Sequence, residues 1–159
     1  MKTLKEFMAK RKYVSVQYDK ESQDKLRDWA KKNGFNLSVK FNGEEQDPKE
    51  FDFHTTVFYS TNEVNLKNKT IKLSPTEVTI SKIKFLGDDQ DIPVLAIEAT
   101  SGIKELRKHF EDLGLEDKWP SYQPHISLSY AKEQRDVSDI KLPDFKPKYD
   151  TLIIEDIED

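Results

Sequence analysis

His54-Thr55-Thr56-Val57-Phe58-Tyr59 and His125-Ile126-Ser127-Leu128-Ser129-Tyr130 stand seventy-one residues apart and share one pattern. Each has a histidine, any residue, a β-hydroxyl, an aliphatic residue, any residue and a tyrosine. β-Branched and aromatic residues at a period of two predict a β-strand for both runs. Residues i and i+2 of a strand point to one face, so His54 shares a face with Thr56, and His125 with Ser127. Two imidazoles, each beside a hydroxyl, suit a phosphate gripped from both flanks. Phosphodiester cleavage removes a proton from the attacking oxygen and delivers one to the leaving oxygen. Histidine serves both steps because its unperturbed pKa is about 6.5. General acid–base catalysis of this kind contributes ~10²–10⁴-fold. Thr56 and Ser127 would donate to the non-bridging oxygens, and a ribose 2′-hydroxyl would be a nucleophile already beside phosphorus.

Rival uses of histidine fit less well. No carboxylate or third histidine stands at ligand spacing from the pair, so no metal and no cofactor is expected. Ser127 lies inside a strand, with no Gly-x-Ser-x-Gly elbow to make it a nucleophile. The third histidine, His109, falls among Arg107, Lys108 and Phe110 and is expected on a helix surface. Without cysteine there is no disulfide, thiolate chemistry or cysteine-bound zinc.

The elements that must position the pair follow along the chain. Thr3-Leu4-Lys5-Glu6 fits a capping box, and residues 3–11 are expected to form a helix ending in solvated Lys10-Arg11-Lys12. A strand over 13–18 and a helix over 21–33, stopped at Asn33-Gly34, come next. Phe35 to Phe41 is expected as a short strand before the Asn42-Gly43 turn. An acidic loop over 44–52 leads to the His54 strand, and a polar connection over 60–72, closed by Pro75, follows it. Val78 to Phe85 alternates as a strand with an irregularity near Ser81-Lys82. Gly87 to Gln90 is a turn, 94–99 a strand, and 101–113 a helix with Ile103, Leu106, Phe110 and Leu113 on one side. The loop carrying Trp119, Pro120, Tyr122 and Pro124 enters the His125 strand, and 149–157 is the last strand. Strand, helix and histidine strand thus occur twice in the same order. An α+β fold of two pseudo-symmetric lobes is expected, with antiparallel sheets around a central cleft and helices outside, within one domain spanning 1–159.

Composition narrows the partners. The chain of 159 residues is 35% hydrophobic and carries a net charge of −4. The absence of a long basic stripe speaks against long nucleic acid but not against a small phosphodiester. No apolar run approaches the roughly 20 residues of a bilayer span, and the first residues lack the apolar core of a signal peptide. A cytoplasmic protein is expected. Nothing in the sequence sets an oligomeric state.

The His54-Thr55-Thr56-Val57 and His125-Ile126-Ser127-Leu128 motifs resemble the signatures of the two-histidine (2H) phosphoesterase superfamily. More narrowly, Tyr13-Val14-Ser15-Val16-Gln17-Tyr18, Asn42-Gly43-Glu44-Glu45-Gln46, Phe51-Asp52-Phe53 before His54, Asp117-Lys118-Trp119, and Pro124 before His125 resemble the phage anti-CBASS nucleases. The resemblance runs along nearly the whole chain. It implies a metal-independent hydrolase that linearises the cyclic di- and trinucleotide signals of bacterial CBASS defence. By motif position, His54 and His125 would be the acid–base pair, and Thr56 and Ser127 the phosphate holders. Family members often have Thr where Ser127 stands, and Ser127 keeps the hydroxyl. Tyr13 would stack a base, bond the phosphate or cap the core. Trp119 and Tyr122 would stack on nucleobases or pack under their loop, and Glu155 would orient a base or histidine or belong to an acidic tail. Two alternatives stand beside this one: an RNA-processing 2H enzyme acting on 2′,3′-cyclic phosphates, and a non-catalytic sponge for a cyclic nucleotide.

Overall fold

The computed structural model describes residues 9–98, 102–118 and 121–157. In chain order it contains β1 (Lys10–Tyr18), α1 (Lys20–Lys32), a 3₁₀ turn (Pro48–Glu50), β2 (His54–Val64), β3 (Lys69–Glu77), β4 (Ile80–Leu86), β5 (Ile92–Ile97), α2 (Ile103–Asp112), β6 (His125–Ser127) and β7 (Lys148–Asp156). Two antiparallel sheets, ordered β2-β1-β7-β3 and β4-β5-β6, make an α+β protein. No described helix is long and apolar enough to cross a membrane.

Each helix is bounded by the chemistry of its ends. Asp19 caps α1 by accepting from the Ser22 backbone N–H at 2.8 Å, relieving one of the orphan donors of the first turn. Gly34, at φ +77°, ends the helix in a conformation that costs a residue with a Cβ. Leu26 and Ala30 of α1, with Ile103 and Phe110 of α2, are fully or almost fully buried. They join Val14, Val16, Val57, Phe58, Leu95, Ile126, Leu128, Leu152 and Ile154 in one core. Burial of each larger side chain contributes roughly 1.5–3 kcal/mol.

Several elements differ from expectation. Residues 1–8 lie outside the described ones, and Lys10 and Arg11 belong to β1 instead of a helix end. Lys12 is buried, with its ammonium on the carboxylate of Asp156 and on Asn68 at 2.9 Å. Phe35 to Phe41 forms no strand; only Val39 makes a single bridge, to Glu45. The connection placed at 60–72 is mostly strand, because β2 continues to Val64 and β3 starts at Lys69. Pro75 sits within β3, in the irregular stretch between Lys72 and Thr76, where an edge strand tolerates a missing donor. Leu113 is half exposed and off the buried face of α2. The second histidine strand ends at Ser127, three residues short of Tyr130. The irregularity expected near Ser81-Lys82 is present, between Ile80 and Lys82.

One join between the sheets decides the placement of the site. Strand β2 has a free edge, and the α2–β6 connection closes it. The Thr61 N–H donates to the Glu116 carbonyl at 2.7 Å, and the Lys118 N–H to the Tyr59 carbonyl at 2.8 Å. Further along, the Tyr122 hydroxyl donates to the Thr56 carbonyl at 2.6 Å. Val57 is an extra residue in β2, since consecutive Val14 and Ser15 face Phe58 and Thr56. Its carbonyl accepts from the Arg107 guanidinium at 2.7 Å. Arg107 also pairs with the Asp117 carboxylate, and its guanidinium lies 4.8 Å from the centre of Phe58 and 3.8 Å from that of Tyr122. Arg107 thereby ties α2, β2 and the approach to β6 together.

Candidate active site

On β2 the alternation expected of the sequence is present: His54 and Thr56 are half-buried on one face, and Thr55 and Val57 are buried on the other. Across the ladder, Gln17 of β1 faces His54 and Ser15 faces Thr56. On the second sheet Ala96 faces His125 and Val94 faces Ser127, and one strand further Lys82 faces Ala96 and Lys84 faces Val94. Cross-strand partners share a face, so both lysines belong to the face that carries His125 and Ser127. Strands β2 and β6 lie against one another, and the positive charge of His54 disfavours the charged form of His125.

Each ring is held by the same local device. The Nδ1–H of His54 donates to the carbonyl of Asp52 at 3.2 Å, and that of His125 to the carbonyl of Gln123 at 2.7 Å. In both cases the acceptor lies two residues before the histidine. A carbonyl only accepts, so each Nδ1 carries the hydrogen and each neutral ring keeps its lone pair on Nε2. Both hydroxyls are also held alike, each by a tyrosine. The hydroxyls of Tyr13 and Thr56 are 2.7 Å apart, and the Tyr130 hydroxyl bonds Ser127. Burial pushes Tyr13 up to about 12 and raises Tyr130 as well, so both phenols keep their protons at neutral pH.

The charges behind the rings differ. The Asp52 carboxylate lies 4.0 Å from Nδ1 of His54 and is itself held by Gln17 at 2.9 Å. Burial raises the Asp52 carboxyl, and the positive charge of His54 works against that rise. Behind His125 the Lys84 ammonium donates to the side-chain carbonyl of Gln123. Burial lowers the pKa of His125 below its ordinary value; the bond to Gln123 opposes this, and His54 and Lys84 add to it.

The remaining residues singled out from the sequence fall in three places. Tyr13 is in the site, its ring edge-on to His54 with centroids 6.4 Å apart. Glu155 is exposed opposite Tyr13 on β7, on the same face but one strand further from His54. Tyr122 is a brace by geometry, with its hydroxyl used by the Thr56 backbone and one ring face covered by Arg107. Trp119 lies outside the described residues. His109 is exposed on α2, as expected. Among the described residues no three His, Asp or Glu side chains gather as a metal-ligand set.

Asp52, Lys84 and Tyr130 were missed as site residues. The signal for Asp52 was its place two before His54, on the same face by period. That for Lys84 was its alternation with Lys82 along a strand. Tyr130 closes the shared pattern, yet Tyr59, its counterpart, packs edge-on against Tyr13 at 6.0 Å instead.

The protein is α+β, and each of its two sheets presents a histidine beside a hydroxyl. The family model for anti-CBASS protein Acb1 matches residues 10–159, and the chain belongs to that family of anti-CBASS proteins. No curated protein matches the chain.

Proposed function

We propose that the protein is a 2H-type phosphodiesterase: one domain of two lobes that opens the 3′–5′ linkages of cyclic di- and trinucleotide immune signals. If phage-encoded, it would act in the host bacterial cytoplasm and silence CBASS before its effector responds. The observation that carries this reading is the matched pair of Nδ1–carbonyl hooks, which leave two Nε2 atoms available for proton transfer. Membership of an anti-CBASS family supports cyclic nucleotide signals as the substrate class.

In this scheme one Nε2 takes the proton of the attacking hydroxyl, from water or the ribose 2′ position, as its oxygen bonds phosphorus. The P–O5′ bond breaks, and the other Nε2 gives its proton to O5′. Thr56 and Ser127 donate to the non-bridging oxygens, oriented by Tyr13 and Tyr130. Two imidazoles cover both proton transfers, so no metal is required. Glu155 and Trp119 would contact the bases.

The test is incubation of catalytic amounts of protein with a panel of cyclic di- and trinucleotides, with and without EDTA, and mass spectrometry of the products. Many turnovers to linear product, unaffected by EDTA, are expected. Stoichiometric binding without cleavage would leave a sponge, and cleavage confined to linear 2′,3′-cyclic-phosphate oligomers would make it an RNA-end enzyme. Loss of activity on chelation would overturn the metal-free scheme.

A further inference from the structure

The two histidines are hooked alike but sit in opposite fields. Around His54 stand Asp52 from the preceding segment, Gln17 and Tyr13 from β1, and His125 from β6; the carboxylate of Asp52 is the only anion among these. Around His125 stand Gln123, Lys84 from β4, Lys82 in the row beyond Ala96, and His54. Every charged group in that second set is cationic when protonated. The ammonium held on the residue that hooks His125 disfavours an imidazolium there, whereas the charge that stands beside His54 is the carboxylate of Asp52, 4.0 Å from its Nδ1. We infer that His125 is the general base and His54 the general acid, with Asp52 and Lys84 as the positioning residues that divide the roles. This assignment rests on the phosphodiesterase reading above. His125 Nε2 accepts the proton of the attacking hydroxyl as the new O–P bond forms. His54 Nε2–H gives its proton to O5′ as the P–O5′ bond breaks, so the pair ends with its protons exchanged. The lowered pKa of His125 agrees with a base that is neutral at pH 7.

A cyclic dinucleotide with sulfur in place of the scissile O5′ separates the two roles, because a thiolate leaves without being protonated. His54→Ala is expected to regain most of its lost rate on the sulfur substrate, and His125→Ala to regain none. Rescue of His125→Ala, or of neither variant, overturns the assignment. A wild-type protein inert on both substrates overturns the phosphodiesterase reading itself, and the assignment with it. The pH profile of kcat/KM tests the positioning residues. The base must lose its proton before it works, so the acid limb follows His125. Lys84→Gln removes a cation and moves that limb to higher pH. Asp52→Asn removes the anion beside the acid and lowers kcat with little change in KM. An acid limb that stays in place or moves the other way in Lys84→Gln, or an unchanged kcat in Asp52→Asn, at unchanged melting temperature overturns the part given to that residue.

An independent observation concerns the rim of the site. Rings run outward from the core in contact: Phe53 to Phe51 at 4.8 Å between centroids, Phe51 to Tyr130 at 5.5 Å, and Tyr130 to Phe41 at 5.6 Å. The first two phenylalanines are buried, and Phe41 at the end is 86% exposed. Its loop is ordered by the Lys40 N–H on the Glu44 carbonyl at 2.7 Å and the Gly43 N–H on the Lys40 carbonyl at 2.9 Å. The ring that supports Phe41 is that of Tyr130, whose hydroxyl bonds Ser127. We propose that Phe41 is a stacking platform for a nucleobase of the substrate, next to the phosphate held by Ser127. Binding of the fastest-cleaved cyclic nucleotide to the inactive His125→Ala protein is the test. Adding Phe41→Ala is expected to weaken affinity about 5- to 100-fold, and adding Phe41→Trp to preserve it. Equal affinity in the alanine variant, or equal loss in both, overturns the platform.

Discussion

The strand carrying His54 is eleven residues long and bulged, and it is covered along both edges, by β1 on one side and the α2–β6 connection on the other. The strand carrying His125 is three residues long and, among the described residues, pairs with β5 alone. Despite this, both histidines donate to the carbonyl two residues back, and both neighbouring hydroxyls meet a tyrosine. The tyrosine comes from β1 in one case and from beyond the strand end in the other. Ring orientation is therefore set by a two-residue backbone device that needs little strand, whereas the partner of the hydroxyl depends on what each sheet has nearby. The likeness is local and the difference lies in the surroundings.

Removing either ring tests that likeness most severely. His54→Ala and His125→Ala are each expected to lower turnover of a cyclic nucleotide by ~10²–10⁴-fold or more, with the fold intact by circular dichroism. A variant that keeps its turnover would mark its histidine as structural. The next effect is on stability and touches only one side of the comparison. Arg107 and Asp117 form a pair whose side chains are only 13% and 9% exposed, and breaking a buried pair costs about 3–5 kcal/mol. Arg107→Ala should lower the denaturation midpoint accordingly, and an unchanged midpoint would mean that β2 is held without it. The smallest expected effects sharpen the match between the halves. Thr56→Val and Ser127→Ala should each cost roughly 10- to 100-fold in kcat/KM, as for the loss of a hydrogen bond to a charged group. A large loss at one position and none at the other would show that a single hydroxyl holds the phosphate.

Elements with their own periodicity were legible in the sequence. The helices α1 and α2 announced themselves through apolar residues three and four apart and a glycine stop. The shared face of each histidine and hydroxyl followed from the period of a strand. Strand β3 did not show, because Lys69–Glu77 is polar and mostly exposed and carries Pro75; its order comes from pairing with β7, a distant segment that a local reading does not see. The start of β1 was hidden for a related reason. Lys10-Arg11-Lys12 looks like a solvated end, yet Lys12 is buried because Asp156, 144 residues away, supplies its counter-charge. The hydroxyls and rings of the site were visible, but the pairing of Lys84 with the residue behind His125 was not. Lys84 reaches Gln123 only through the pairing of β4 with β5 and β5 with β6.

The supernumerary Val57 has an implication for how this strand tolerates change. It turns one carbonyl toward Arg107 and lets Val57 and Phe58, neighbours in sequence, both point inward. Excising that single amino acid would make Thr56 and Phe58 adjacent, opposite the adjacent Ser15 and Val14, so both segments would keep their faces. What would go is the carbonyl that holds Arg107 and one buried side chain. Removing a paired neighbour such as Thr55 would instead turn His54 toward the interior, so the strand should forgive a deletion at Val57 far more readily than one beside it.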